Sequence, residues 1–582
     1  MTFSSILVIL AISLTSSVKT STRADEQKAA PVHRGGFLKK TNVSLIELES
    51  SLLNELSGNS ATKTERIHAF EKALEPLYNA LPKDGSKLSH AVVRYALHRF
   101  FAQHRGWYIR GLEPIGDAPN SSLTSLKDMQ EWVPSYLHEF LEHIVHGRGL
   151  SLRELAVLAA TFEDLILKEE MTWLDKAYSM LAFAKSSDIN RDQLAELLET
   201  YMILYTVQDN LTLDTTDKVQ KIHDFFDQTI KNWKDTKDWL HGLVTRSFPG
   251  SHLFSFNDSA SLVKSVGERY GGFNDQECAR LKTSLLEIES RKPGRVRLFD
   301  FYQKALHGSQ WGFDEKIEYL RVLGALDESD PSTPLVIIPN YVASRPNCLL
   351  TSNFYSTCCR NECEDLMQTL EEKIRSPVTD PASIMRLVTT LPSDTVPAPR
   401  KLSEELIHRL EHVAKIHHGK VPLHGRLFAQ WMHHVFPREC PFPNEAGVAI
   451  PMTPEEWVNK TGQADSKASE KEMLARVSSD SCKLLPQGMV CSGDHQPLIE
   501  PSESVDSRAD LDLPWNDVEE LLITRPEMMD ERIPPYYRLV LFAALMPTVL
   551  FLALYVKAPR KSKDAKVTSG KGAILEKSWE LK

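Results

Sequence analysis

Gly149-Leu150-Ser151-Leu152-Arg153-Glu154-Leu155-Ala156-Val157-Leu158-Ala159-Ala160-Thr161-Phe162-Glu163-Asp164-Leu165 sets the architecture of this chain. A turn ends in an apolar-x-Leu step, and apolar residues then recur at helical spacing from Leu152 to Leu167. A similar helical stretch, Tyr136 to Val145, precedes it. The same layout returns three times. Leu281 to Ile288 leads through Gly294-Arg295-Val296-Arg297-Leu298 into Phe299 to Leu306. Leu406 to Ile416 leads through Gly419-Lys420-Val421-Pro422-Leu423 into Leu427 to Val435. A looser copy joins Phe70–Leu81 to Val92–Phe101 through Gly85-Ser86-Lys87-Leu88.

The layout resembles an EF-hand, in which a Gly at loop position six and an apolar residue at eight let paired loops form a short two-strand bridge. Gly294 and Val296 take those positions, with Glu289 at one and Asp300 at twelve. The calcium ligands are missing: positions three and five hold Arg291 and Pro293. In the Gly419 copy, positions one, three, five and twelve are Ala414, Ile416, His418 and Gly425. A hard cation needs several oxygens, so calcium binding is not expected. Plain helix-turn-helix packing without shared ancestry accounts equally for the layout. Either way the fold is mainly α. Helical period also marks Ser44–Leu56, Thr64–Leu81, Ala91–Phe101, Trp132–Val145 and Leu194–Tyr205. Strand alternation is scarce, and Pro334 to Pro339 is the best short apolar run.

The two ends set a topology. Ile6 to Leu14 is an apolar run followed by small residues, the pattern of a secretory signal peptide, although the segment before it has no Lys or Arg. Leu539 to Val556 is 18 residues without a charge, about 27 Å as a helix and long enough to span a bilayer. Tyr536, Tyr537 and Tyr555 flank it as interfacial aromatics. From Lys557 to Lys582 there are eight Lys/Arg and three Asp/Glu, so this tail belongs on the cytoplasmic side. The chain as a whole has 68 Lys+Arg against 78 Asp+Glu, a net −10; the tail holds +5 and everything before it −15. That balance argues against binding nucleic acid by bulk positive charge. The expected order is a signal peptide (1–22), an N-terminal helical region (23–250), a Cys-bearing helical region (251–495), an acidic stalk (496–535), a transmembrane helix (536–556) and a basic tail (557–582). This describes a single-pass type I membrane protein of the secretory pathway or cell surface, with the membrane and other proteins as partners.

Eight cysteines fit an oxidising compartment: Cys278, Cys348, Cys358, Cys359, Cys363, Cys440, Cys482 and Cys491. An even count predicts disulfides, with connectivity open. Zinc is the weaker reading, because Cys358-Cys359-x3-Cys363 has no second paired-Cys partner. Sequons stand at Asn42, Asn120, Asn210, Asn257 and Asn459, candidates for glycosylation.

Two clusters are candidates for chemistry. His138-Glu139-Phe140-Leu141-Glu142-His143, with His146 beyond, lacks the His pair at i and i+4 that a zincin requires and reads as a polar helix face. The second holds seven of the 20 His within 27 residues: His408, His412, His417, His418, His424, His433 and His434. His408 and His412 are an i,i+4 pair, a legitimate arrangement for a transition metal. His408, His412, His433 and His434 are therefore candidate ligands of a metal-dependent or pH-responsive site; a stapled, aromatic-capped corner of the fold is the alternative. No other cofactor is expected. No Gly-x-Ser-x-Gly, P-loop, Rossmann or kinase pattern is present.

Several phrases resemble a family of uncharacterised secreted or membrane proteins of algae and other protists. They are His98-Arg99-Phe100-Phe101 with Gly106-Trp107-Tyr108, Leu155 to Leu165, Ile338-Pro339-Asn340-Tyr341, Cys358 to Cys363, and His424 to His434. The resemblance covers roughly Leu88 to Trp457 and implies no activity. A protist host raises one alternative, since the basic stretch Lys19 to Lys40 would also suit targeting to a complex plastid. The leading functional expectation is a luminal or extracellular binding or scaffold domain, and the runner-up is a metal-dependent enzyme using residues 408–434.

Overall fold

The computed structural model describes residues 60–109, 149–207, 216–485 apart from 231, 351–354 and 446, then 488–491 and 515–520, with Leu53, Leu56 and Leu112. The expected signal peptide, transmembrane helix and basic tail lie outside the described residues, as do the helix over 132–145 and the sequons at Asn42, Asn120 and Asn210. Among the described residues the chain is mainly helical, and no helix is long and apolar enough to cross a membrane.

Short bridges open eight of the described helices and meet in pairs, one of which takes a third strand. Helix α1 (Ser60–Ala80) leads to Leu88, which opens α2 (His90–Arg105). After strand β1 (Trp107–Ile109), Leu150 opens α3 (Leu152–Met180). Leu88 and Leu150 exchange both backbone hydrogen bonds at 2.9 Å, so the first and the loosest copy of the recurring layout are each other's partner. Strand β2 (Ile189–Asn190) opens α4 (Arg191–Val207). Helices α5 (Thr216–Thr229) and α6 (Trp233–Ser247) follow, and β3 (Leu253–Phe254) opens α7 (Phe256–Leu286). Ile189 pairs with Phe254.

Strand β4 (Arg295–Arg297) opens α8 (Leu298–Leu306). Helix α9 (Ile317–Val322) and β5 (Leu326–Asp327) precede β6 (Leu335–Ile337), which opens α10 (Ile338–Val342). Val296 pairs with Val336, so the apolar run at Pro334–Pro339 is the partner of the second copy. Past β7 (Leu349–Leu350), β8 (Tyr355–Thr357) and α11 (Cys363–Ile374), β9 (Val378–Thr379) opens α12 (Pro381–Val388). Helix α13 (Glu404–Ile416) leads to β10 (Val421–Pro422) and α14 (Arg426–Val435). Thr379 pairs with Val421, which gives the third copy its partner. Helices α15 (Pro454–Thr461) and α16 (Glu470–Ser481) and a hairpin of β11 (Cys482–Leu485) and β12 (Gly488–Cys491) complete the described order up to residue 491.

The local chemistry repeats with the bridges. At four of the bridges the following residue caps the helix, and the residue three further on pairs with it. Ser151 with Glu154 and Ser255 with Asp258 form reciprocal capping boxes. Asn190 with Gln193 does the same through side-chain amides, 2.9 Å each way. Asp380 accepts from Ser383 N at 2.8 Å. Gly294 is the residue its turn demands: its φ is +73°, and a Cβ there would overlap the Pro437 carbonyl.

Helix α3 departs from its expected end at Leu167, continuing to Met180, because no Gly or Pro interrupts it. It is also buried almost all round from Leu155 to Asp164. Two of its buried carboxylates, Glu163 and Asp164, are matched by arginines. Arg66 reaches Glu163 at 2.7 Å and Asp164 at 3.3 Å, and Arg105 reaches Glu163 at 3.1 Å.

Among the described residues there are three apolar clusters. The largest runs from Leu56 to Tyr270 and takes in Leu349 and Tyr355. The second gathers Cys278, Phe301, Tyr319, Val336 and Trp457, and the third Leu370, Leu410, Phe428 and Trp431. Helix α7 passes from the first, at Leu262 to Tyr270, into the second, at Cys278 to Leu285. The sheet β1–β8–β7 also carries the Cys-bearing region back onto the first cluster. Among the described side chains, six cysteines form three disulfides, Cys278–Cys359, Cys348–Cys358 and Cys363–Cys440. The backbone register of the final hairpin sets Cys482 opposite Cys491.

Candidate functional site

The His-rich stretch folds into one corner around α13 and α14. Ser403 caps α13, accepting from Leu406 N at 3.3 Å. Leu406, Leu410, Val413 and Ala414 face the core at helical spacing, which leaves His408 and His412 exposed. In α14 every residue except Ala429 is buried. Trp431 stacks with Phe428 and donates its indole N–H to Leu406 O at 2.8 Å, tying the two helices. The Cys363–Cys440 bond closes the corner beyond α14.

Each buried imidazole has a defined place. His433 Nδ1 lies 2.6 Å from Cys440 O, and its Nε2 lies 3.1 Å from Arg295 Nη1. A carbonyl only accepts and a guanidinium only donates, so His433 is neutral with its proton on Nδ1. Burial and the Arg295 charge push its pKa down to about 3. Arg295 is itself fully buried and is paired with Asp327 at 2.7 Å. His424 Nε2 lies 2.8 Å from Glu371 Oε1, and Glu371 also pairs with Arg99 from α2. Burial works against the charged Glu371, but Arg99 and then His424 outweigh it and hold its carboxyl below the usual range. Arg99 takes Glu364 as a second partner. This buried network joins α2, α11 and the turn before α14. His434 stacks on Trp515 with ring centroids 5.6 Å apart.

The four candidate ligands therefore fall into two groups, His408 and His412 on the exposed face of α13, and His433 and His434 buried in α14. His412 Nε2 lies 3.2 Å from Asp517 Oδ1. Among the described residues, no group of three or more His, Cys, Asp or Glu is placed to hold a metal ion. The sequons at Asn257 and Asn459 are both exposed, at the start of α7 and within α15.

Sequence reading missed the most heavily used side chain of this corner. Arg426 is fully buried, and it donates to backbone carbonyls of residues 516 and 518, part of the acidic stretch read as a stalk. The available signal was Trp515, set among Leu511, Leu513, Val518 and Leu521, apolar residues interleaved with the acidic ones. A separate shallow cleft of about 530 Å³ lies on α6 and α7, where Trp239 stacks on Phe273 beside Asp235 and Asp238. The Arg280–Asp235 ion pair, 3.4 Å, stands at its edge.

Comparison with protein-family models, with curated proteins and with solved structures found no match.

Proposed function

We propose that the chain is a binding scaffold of the secretory route, a single-span type I protein whose helical part is built from degenerate EF-hand-type pairs. One observation carries this reading: the loops pair as such units do, while the groups that would hold a cation serve the fold. With the bridge residue at position eight, position twelve falls on Val92, Glu154, Gln193, Asp258, Asp300, Asn340, Ser383 and Gly425. Glu154 and Asp258 accept from their own helix caps at 2.7 and 2.8 Å. Asp300 is paired with Arg297 at 2.6 Å, and Asn340 donates to two carbonyls at 2.9 Å. A calcium loop reserves that position for a bidentate carboxylate. Three disulfides are compatible with an extracellular domain.

The competing reading is a metal-dependent enzyme. The exposed i,i+4 pair His408 and His412, with Asp517 3.2 Å from the latter, favours it. Metal analysis of the purified chain, with a calcium titration of its melting temperature, separates the two. The scaffold reading expects no stoichiometric transition metal and no shift at micromolar calcium. A stoichiometric metal lost on His408→Ala or His412→Ala overturns it. Glycosidase treatment with peptide mapping tests the compartment: glycan at Asn257 or Asn459 is expected, and a fully reduced, unglycosylated chain from its native membrane contradicts the topology.

A further inference from the structure

Residues Trp515–Glu520 lie across α13 and α14 in a manner that reads as a bound peptide. Buried Arg426 donates from Nε to Val518 O at 2.6 Å and from Nη2 to Asn516 O at 2.7 Å. Its backbone N–H donates to Glu520 O at 2.8 Å. Glu519 sits at the N-terminus of α14, where unpaired N–H groups and the helix dipole favour an anion. There Oε1 accepts from Leu427 N at 3.2 Å and Oε2 lies 2.6 Å from His417 Nε2. Gly425 permits this approach, since a Cβ would come within 3.1 Å of the carboxylate. Asp517 faces His412. Trp515 stacks on His434, and the Arg409 guanidinium stands over its ring at 5.1 Å.

These contacts read three things in the segment: three backbone carbonyls, an aromatic ring, and carboxylates two and four residues after it. Arg426 gives two of its donor nitrogens to carbonyls of the segment, acceptors that a peptide of the same backbone course replaces on exchange. We propose that this face of α13 and α14 is a recognition site for an acidic, extended peptide of the form Trp-x-Asp-x-Glu. Trp515–Glu519 fills it in cis, and its release opens the site to a partner segment of the same chemistry. The partner half of this inference rests on the binding reading above; the site itself rests on the contacts alone.

The test uses the full-length chain and a fluorescent peptide copying residues 513–522. A tethered segment acts at an effective concentration on the order of millimolar, so the wild-type chain binds the free peptide weakly. The release variant Trp515→Ala/Glu519→Gln is expected to bind it at least roughly tenfold more tightly by anisotropy. Replacing the tryptophan or the second carboxylate of the peptide removes that gain, as does adding Arg409→Ala/His417→Ala in a chain that stays folded by circular dichroism. Equal binding by wild type and release variant overturns the proposal. So does a release variant that stays folded by circular dichroism, or melts earlier, and ignores the peptide; the segment is then a structural strap. Metal content and the calcium titration do not depend on the peptide, so failure of the site is distinguishable from failure of the scaffold reading.

Discussion

The region without cysteine and the region that holds all eight solve the same problem differently. Up to Tyr270 the described residues form one large apolar cluster, in which Leu155 to Ala160 and Tyr201 to Tyr205 are buried. Beyond it, two smaller clusters share the work with three disulfides and with buried pairs such as Arg295–Asp327. Apolar burial scales with the size of a cluster, so dividing a core lowers the share of surface it removes from water. A covalent link offsets this by restricting the unfolded chain. The difference teaches that cysteine placement along this sequence tracks where the core is subdivided.

The sharpest way to break this comparison is to remove one long-range bond. Cys363 and Cys440 are 77 residues apart, a loop whose closure entropy corresponds to about 4–5 kcal/mol. Cys363→Ser/Cys440→Ser is expected to strip hydrogen-exchange protection from α11 to α14 while α1 to α4 keep theirs. Equal loss in both regions contradicts the division. The reciprocal change is Leu158→Ala, a fully buried position in the large cluster, with an expected cost of about 3–4 kcal/mol by chemical denaturation. Its effect should centre on the N-terminal helices and persist under reducing conditions; a loss under 1 kcal/mol would mean a looser core than the burial implies.

A smaller effect tests a polar group of the Cys-bearing region. Glu315 is buried, and burial together with Asp314 pushes its pKa up to about 7, with the Tyr341 hydroxyl donating to it at 3.0 Å. The folded chain then holds a proton that the unfolded chain releases above about 4.5. This contribution is complete below pH 4.5 and is lost as pH rises through 7, about 3 kcal/mol in all. Glu315→Gln should flatten the pH dependence of stability between 4.5 and 7; an unchanged slope there contradicts the assignment. Least is expected of Arg321→Ala, which removes an exposed pair with Glu328 at 2.8 Å. It should cost under about 1 kcal/mol and fade with added salt, and a larger salt-independent loss would show that surface charge carries more of this region than its disulfides do.

Several features were legible before any tertiary structure. The helices at α1, α2, α4, α13 and α14 follow from apolar spacing, and the bridge residues Leu88, Leu150, Val296 and Val421 stood out within the recurring layout. The disulfide framework was legible as a count but not as a connectivity, since Cys358 bonds Cys348 while its neighbour Cys359 bonds Cys278. The candidate site was legible as a cluster of imidazoles, not as a set of roles. Nothing in the order of residues shows that Arg295 would occupy His433, or that Trp515 would stack on His434.

The sequence by itself determined the helical elements, their caps and the separation of cysteine-free from cysteine-bearing chain, because these depend on neighbours within about four residues. Tertiary structure alone decided which bridge meets which, how the cysteines pair, and that an acidic segment read as a stalk lies on α13 and α14. Those outcomes depend on contacts tens to hundreds of residues apart, such as Arg295 with His433 and Arg99 with Glu371. The free energy of such contacts comes from burial and charge compensation that exist only once the elements have met.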